Sequence, residues 1–312
     1  MEAKHDLQAQ AKRVAARCRP DASAARVVAD PMTLLLTAIA MLAFAANSLL
    51  ARAAMADGAI DAVSFTAIRM VSGAVALALL LAARKRPDIV RARPGSWPSA
   101  LAILAYALAF SLAYGRLGAA TGAVILFASV QGTMVLWGAL RADPPTRGEL
   151  AGLAIAFAAF VWLLLPGLDA PDLAGSALMI AAGIAWGIYS LRGRKAGNAL
   201  DATAGNFVRA ALLCLPFVAT PFMGGHADAY GTALAMFSGA ITSGLGYVIW
   251  YRALPRLTTT QGAAVQLTVP MLAAFGGIVL LDETLTLRLA LASAFILGGV
   301  ALAIAVKRRP SP

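Results

Sequence analysis

The sequence predicts an all-α integral membrane protein. It is read as ten transmembrane helices in two inverted five-helix repeats, with the N and C termini in the cytoplasm. Three observations carry this prediction. Apolar runs of roughly 20 residues, the length a membrane-spanning helix needs, recur along the chain. Lysine and arginine collect on alternate connections between those runs. Charged and glycine positions recur at a spacing of 140 residues.

Of the 312 residues, 60% are hydrophobic and only 13% charged, with a mean hydropathy of +0.77. A soluble domain carries about 25% charged residues. The net charge of +11 would fit a nucleic-acid partner if it lay on one face. It lies instead in short clusters between apolar runs, which is a topology signal, so no nucleic acid is expected. Cys18 and Cys214 form no CxxC and no disulfide framework. HExxH, GxSxG and P-loop motifs are absent, and His5 and His226 fall outside the apolar runs. The expectation is a protein that is not an enzyme and has no cofactor and no metal.

Residues 1–31 form a polar cytoplasmic tail carrying Lys4, Lys12, Arg13, Arg17, Arg19 and Arg26, without the apolar core of a signal peptide. Met32 stands directly before the first span and is an alternative start. The expected spans are 32–51, 62–83, 97–115, 117–140, 150–168, 173–191, 202–222, 229–251, 257–281 and 289–306. Residues 307–312 form a basic tail. With the N terminus inside, the cytoplasmic segments hold 21 Lys and Arg against Arg52, Arg116 and Arg288 on the other side.

The 140-residue spacing links Asp61 with Asp201, Arg69 with Arg209, Leu117 with Leu257, Gly122 with Gly262 and Asp143 with Glu283. It lays residues 32–168 over residues 173–306. Five spans is an odd number, so the second repeat enters the membrane inverted. Inverted repeats are a transporter architecture, with the substrate site between them near the midplane. The expected partners are a small-molecule substrate and the lipid bilayer.

Several short stretches carry a family likeness: Ala46-Asn47-Ser48 in the first span, Ser64 to Arg69 opening the second, Ala185 to Ser190 in the sixth, and Pro270 with Glu283-Thr284-Leu285 around the ninth. On these the chain resembles the drug/metabolite transporter superfamily, in particular its ten-helix EamA-type members. Val130 and Asp143 depart from the usual proline and glutamate of the first half. The resemblance implies export or exchange of small organic metabolites such as amino acids, through a central cavity in the bacterial cytoplasmic membrane. The alternative is a membrane solute sensor or accessory subunit without transport activity.

No Asp or Glu falls inside a span, so neutral or zwitterionic substrates fit better than cations. Neutral polar and aromatic side chains within spans are the candidate cavity lining: Asn47, Ser48, Tyr106, Gln131, Trp186, Tyr189, Tyr247 and Gln266, with Asn206 also considered. Trp186 and Tyr189 lie three apart on one helical face; substrate stacking and a place in the interfacial aromatic belt both fit them. Trp97, Trp137, Trp162, Trp250 and Tyr251 are read as belt residues. Arg69 and Arg209, some seven residues into their spans, are assigned a structural or gating role, as are Pro270 and Glu283.

Overall fold

The computed structural model describes residues 30–56, 58–83, 95–140, 147–165, 170–194, 196–217, 225–257, 262 and 265–306. The polar tails at 1–29 and 307–312, the basic connection 84–93 and Asp143 lie outside the described residues. Ten helical segments run in order: α1 (Pro31–Ala56), α2 (Ala62–Ala83), α3 (Trp97–Tyr114), α4 (Ala119–Leu140), α5 (Arg147–Leu164), α6 (Leu173–Gly193), α7 (Ala199–Cys214), α8 (Ala229–Arg256), α9 (Thr268–Leu281) and α10 (Leu287–Val306). Among the described residues the only β pairing is one isolated bridge, Ile60 to Ala227. Among the described residues six helices, α1 to α4, α6 and α8, are long and apolar enough to cross a membrane. The chain is an all-helical, multi-pass integral membrane protein.

The carboxylates missing from the spans have a job at their ends. Asp30, Asp61, Asp172 and Asp228 each accept backbone N–H groups from the first turn of α1, α2, α6 and α8. Asn198 does the same for α7, and Ser96 for α3. Such caps satisfy donors that lipid cannot. Asp61 also accepts from the His226 backbone at 3.1 Å and from the Ser64 hydroxyl at 2.6 Å, tying the entry of α2 to the loop before α8. Partial burial pushes its pKa up, but the hydrogen bonds from Ser64, His226 and Val63 outweigh this and leave it below the ordinary carboxylate value. A depressed carboxylate stabilises the fold above its unfolded pKa and loses that contribution as pH falls through the folded value. Asp61→Asn is therefore expected to melt lower than wild type at neutral pH and to converge with it below about pH 4; thermal unfolding across pH checks this.

Packing depends on small residues. Gly183 and Gly187 of α6 rest on Leu126, Ser129 and Thr133 of α4, and Gly299 of α10 rests on the Gly152 carbonyl of α5. Helices pack as α1 with α8 and α9, α2 with α7 and α8, α3 with α6 and α7, α4 with α6 and α9, and α5 with α10. The bundle is apolar outside and polar within: Leu79, Phe157 and Phe275 are exposed, whereas Asn47, Arg69, Gln131 and Gln266 are buried. Trp97, Trp137 and Trp162 stay exposed, as belt residues should. Trp250 and Tyr251 do not. Trp250 is fully buried against Phe44, and the Tyr251 hydroxyl donates to the Tyr189 carbonyl at 3.1 Å. Residues placed near a span end by sequence here face the bundle axis, because α8 runs on to Arg256.

Helix α9 runs from Thr268 to Leu281. Pro270 thus occupies the first turn, where its missing N–H costs little and no kink is required. Leu267, just before that turn, is a turn residue whose backbone angles, φ −68° and ψ −14°, stay in the right-handed helical region.

Candidate functional site

Six helices, α1 to α4, α6 and α8, supply the centre. Asn47 on α1 donates through Nδ2 to the Tyr106 hydroxyl of α3 at 3.3 Å. Its Oδ1 accepts from Ser238, Thr242 and Ser243 of α8 at 2.6, 3.2 and 3.4 Å. These three come from a π-helical stretch, Ser238–Leu245, inside α8. The wider i→i+5 winding brings Ser238 and Ser243 nearly over one another, so both reach one acceptor. Such π segments often mark functional sites.

Arg69 of α2 is fully buried beside this stretch. Nε donates to Ser243 Oγ at 2.8 Å, and Nη2 to the hydroxyls of Tyr247 at 2.7 Å and Tyr106 at 3.5 Å. The guanidinium lies 5.3 Å from the Tyr106 ring centroid and 5.2 Å from that of Phe110. Nη1 has no hydrogen-bond partner. Arg209, its counterpart at the 140-residue spacing, does something else. It is half-buried, donates to the Gly205 carbonyl at 2.8 Å and lies over Trp97.

An aromatic cluster covers the polar one. Trp186 of α6 packs on Phe44, Tyr106, Tyr189 and Tyr247 with ring centroids 4.7 to 5.5 Å apart. Its indole N–H donates to Gln266 Oε1 at 3.1 Å, and Gln266 Nε2 donates back to the Gly262 carbonyl. Gln266 therefore orients the tryptophan from just before the turn that precedes α9. A cavity lies here, lined by Phe44, Ser48, Tyr106, Phe110, Leu126, Phe127 and Trp186. At about 10 Å³ it has room for about one water. A ligand pocket spans hundreds of Å³, so this space is too small for an organic substrate.

Of the sequence candidates, Asn47, Tyr106, Trp186, Tyr189, Tyr247 and Gln266 meet in one connected cluster, and Ser48 lines the cavity. Gln131 is buried on α4, but Leu126 and Phe127 line the cavity from that helix. Asn206 braces structure: its Oδ1 accepts the Ser96 N–H at 2.9 Å, next to Gly95, whose φ of +73° and contact with the Asn206 backbone leave no place for a Cβ. Sequence reasoning passed over Phe44, Phe110 and the serine and threonine of Ser238–Leu245. The only sequence signal for the last was a run of small residues between Gly239 and Gly244.

At one end of the bundle Glu283 closes the contact between α1, α4 and α9. Both its oxygens accept the Ala119 N–H at 2.9 Å, at the N terminus of α4, and Oε1 pairs with Arg52 Nε at 3.1 Å. Arg52 also donates to the Tyr114 carbonyl. Gly118 and Gly277 sit against the carboxylate, where side chains would not fit. Glu283→Gln keeps the shape and loses the charge. It is expected to lower stability in detergent by about 1–2 kcal/mol, with non-additivity against Arg52→Gln in a double-mutant cycle.

The family model described as EamA-like transporter family matches residues 173–305. An uncharacterized protein of Pseudomonas aeruginosa is 52% identical over 280 residues, covering 88% of this chain and 96% of that protein. The threonine/homoserine exporter RhtA of Escherichia coli is 34% identical over 134 residues, covering 40% of this chain and 44% of the exporter. A solved crystal structure aligns with 89% of this chain and 99% of its own, at a TM-score of 0.62 and 19% identity, a likeness of fold alone.

Proposed function

The chain belongs to the EamA-like transporter family, and from that premise we propose that it exports small organic metabolites such as amino acids across the bacterial cytoplasmic membrane. Transport proceeds by alternating access between two inverted repeats, 32–168 and 173–306, with both tails in the cytoplasm. The observation that carries this reading is the closed central cluster, to which both repeats contribute: Asn47, Arg69 and Tyr106 from the first, Trp186, Ser243, Tyr247 and Gln266 from the second. A water-sized cavity where the two repeats meet, walled by aromatic and apolar side chains with the Ser48 and Tyr106 hydroxyls, fits an occluded state between two access states.

The helix pairings support the repeat. Exchanging each of α1 to α5 with α6 to α10 turns α1–α9 into α6–α4, α2–α8 into α7–α3 and α1–α8 into α6–α3, and all of these pairs are packed. On the basic asymmetry, the Arg52–Glu283 end faces outward. Opening that way separates Glu283 from Ala119 and Arg52. The turn at Leu267, ahead of Pro270, lets α9 tilt while Gln266 stays with Trp186.

The test is counterflow in proteoliposomes loaded with a mixed pool of amino acids that includes threonine and homoserine, with and without a pH gradient. Counterflow of one substrate class supports the proposal. A folded protein that moves nothing in the pool would favour a sensor or accessory subunit.

A further inference from the structure

We propose that Arg69 is the anion-binding residue of the central cavity, taking the carboxylate of an organic acid or a zwitterionic amino acid. This rests on the transport reading for the cavity's role but stands on its own geometry. The guanidinium is completely buried within the helix bundle. Among the described residues the ion pairs are Arg52–Glu283, Arg116–Asp172 and Arg256–Asp30, so Arg69 has no carboxylate partner. Its acceptors are three neutral hydroxyls and two aromatic faces. A buried cation without a counter-ion is held at several kcal/mol of desolvation cost. Bracing α2 against α8 does not need that charge, because the two α8 acceptors, Ser243 and Tyr247, are neutral hydroxyls to which the two N–H groups of a neutral amide could donate.

The free valence points to a ligand. Arginine offers five N–H donors, and the two on Nη1 are unused and buried. Tyr106 and Phe110, the rings beneath the guanidinium, are themselves part of the cavity wall. Arg69 does not itself line the cavity; an expansion that moves the Tyr106 and Phe110 rings brings Nη1 to it, and a carboxylate supplies both the charge and the acceptors it lacks. The remaining wall, Phe44, Phe127, Leu126 and Trp186, is apolar and aromatic. An ammonium group finds ring faces there and needs no acidic residue. An amide in place of the carboxylate loses the charge and sets N–H against N–H.

The full-length protein in detergent is titrated with pairs that differ only at this group: L-threonine against L-threoninamide, and propionate against propionamide. The readout is the concentration that half-maximally raises the unfolding temperature. The acid is expected to be preferred by about tenfold or more. In Arg69→Gln the preference should fall to about threefold or less, and Arg69→Lys, which keeps the charge but not the fork, should fall between. If Arg69→Gln does not fold, the wild type and Arg69→Lys carry the test. Acid and amide acting equally on the wild type, neither acting at all, or an acid preference that survives in Arg69→Gln each overturns the proposal. Acid-selective stabilisation without counterflow removes transport and keeps the site. Counterflow that carries the amide as readily as the acid keeps transport and removes the site.

Discussion

Gly239→Ala is expected to destabilise the protein by about 3 kcal/mol, seen as a large fall in the unfolding temperature in detergent. Gly239 opens the π segment of α8 where it crosses α2. A Cβ there would collide with the Arg69 carbonyl oxygen and with Ser72 Oγ, and would stand 2.9 Å from the Arg69 carbonyl carbon. Ser72 can rotate away, but the α2 backbone cannot. From the other side, Gly73 already meets the Gly239 carbonyl and the Phe207 ring. The two helices touch backbone to backbone, and separating them draws Arg69 away from Ser243 and Tyr247. The variant should therefore lose acid-selective binding together with stability. An unchanged unfolding temperature would show that this close approach does not hold α2 to α8.

Trp186→Ala should cost about 3–5 kcal/mol and abolish counterflow. The ring is 2% exposed and touches four other aromatic side chains, so its removal leaves a cavity that the surrounding rings cannot fill. Gln266→Ala should cost less, about 1–3 kcal/mol, because it strands the indole N–H without removing the ring. Trp186→Phe separates packing from hydrogen bonding: it keeps an aromatic body and drops the N–H. Combining it with Gln266→Ala should be no worse than the more damaging single change, since both remove the same bond. Wild-type flux in Trp186→Phe and Gln266→Ala alike would take both residues out of the transport path.

Much of the architecture was legible before any coordinates. Lipid leaves backbone groups no partner outside a helix, so apolar runs of sufficient length and Lys/Arg asymmetry constrain spans and orientation strongly. For the same reason the carboxylates could be placed in connections, and Asp61, Asp172 and Asp228 are caps. Polar residues inside spans could also be nominated singly, because an amide or guanidinium in hydrocarbon must turn inward. Asn47 and Gln266 are nominated on that ground, and Tyr106, Trp186 and Tyr247 as polar or aromatic side chains within spans; the structure buries all five.

Periodicity and spacing did not reveal which of these residues meet. The 140-residue spacing equates Arg69 with Arg209, yet one lies at the centre and the other at the rim. The same spacing sets Trp186 against Ala46, Asn47 against Gly187, Tyr106 against Gly246 and Gln266 against Leu126. The backbone plan repeats while the chemistry of the centre does not, so symmetry predicts helix neighbours better than it predicts site residues. The π winding of Ser238–Leu245 was equally hidden. It arises from contacts that α8 makes with α1 and α2, through Asn47, Arg69 and Gly73, and nothing local in that run distinguishes i→i+5 from i→i+4. Composition and charge thus indicated an all-helical, multi-pass membrane protein. Long-range packing settled that a buried arginine, without a carboxylate, stands beside a closed aromatic cavity, because only the folded chain brings together residues up to 219 positions apart, from Asn47 to Gln266.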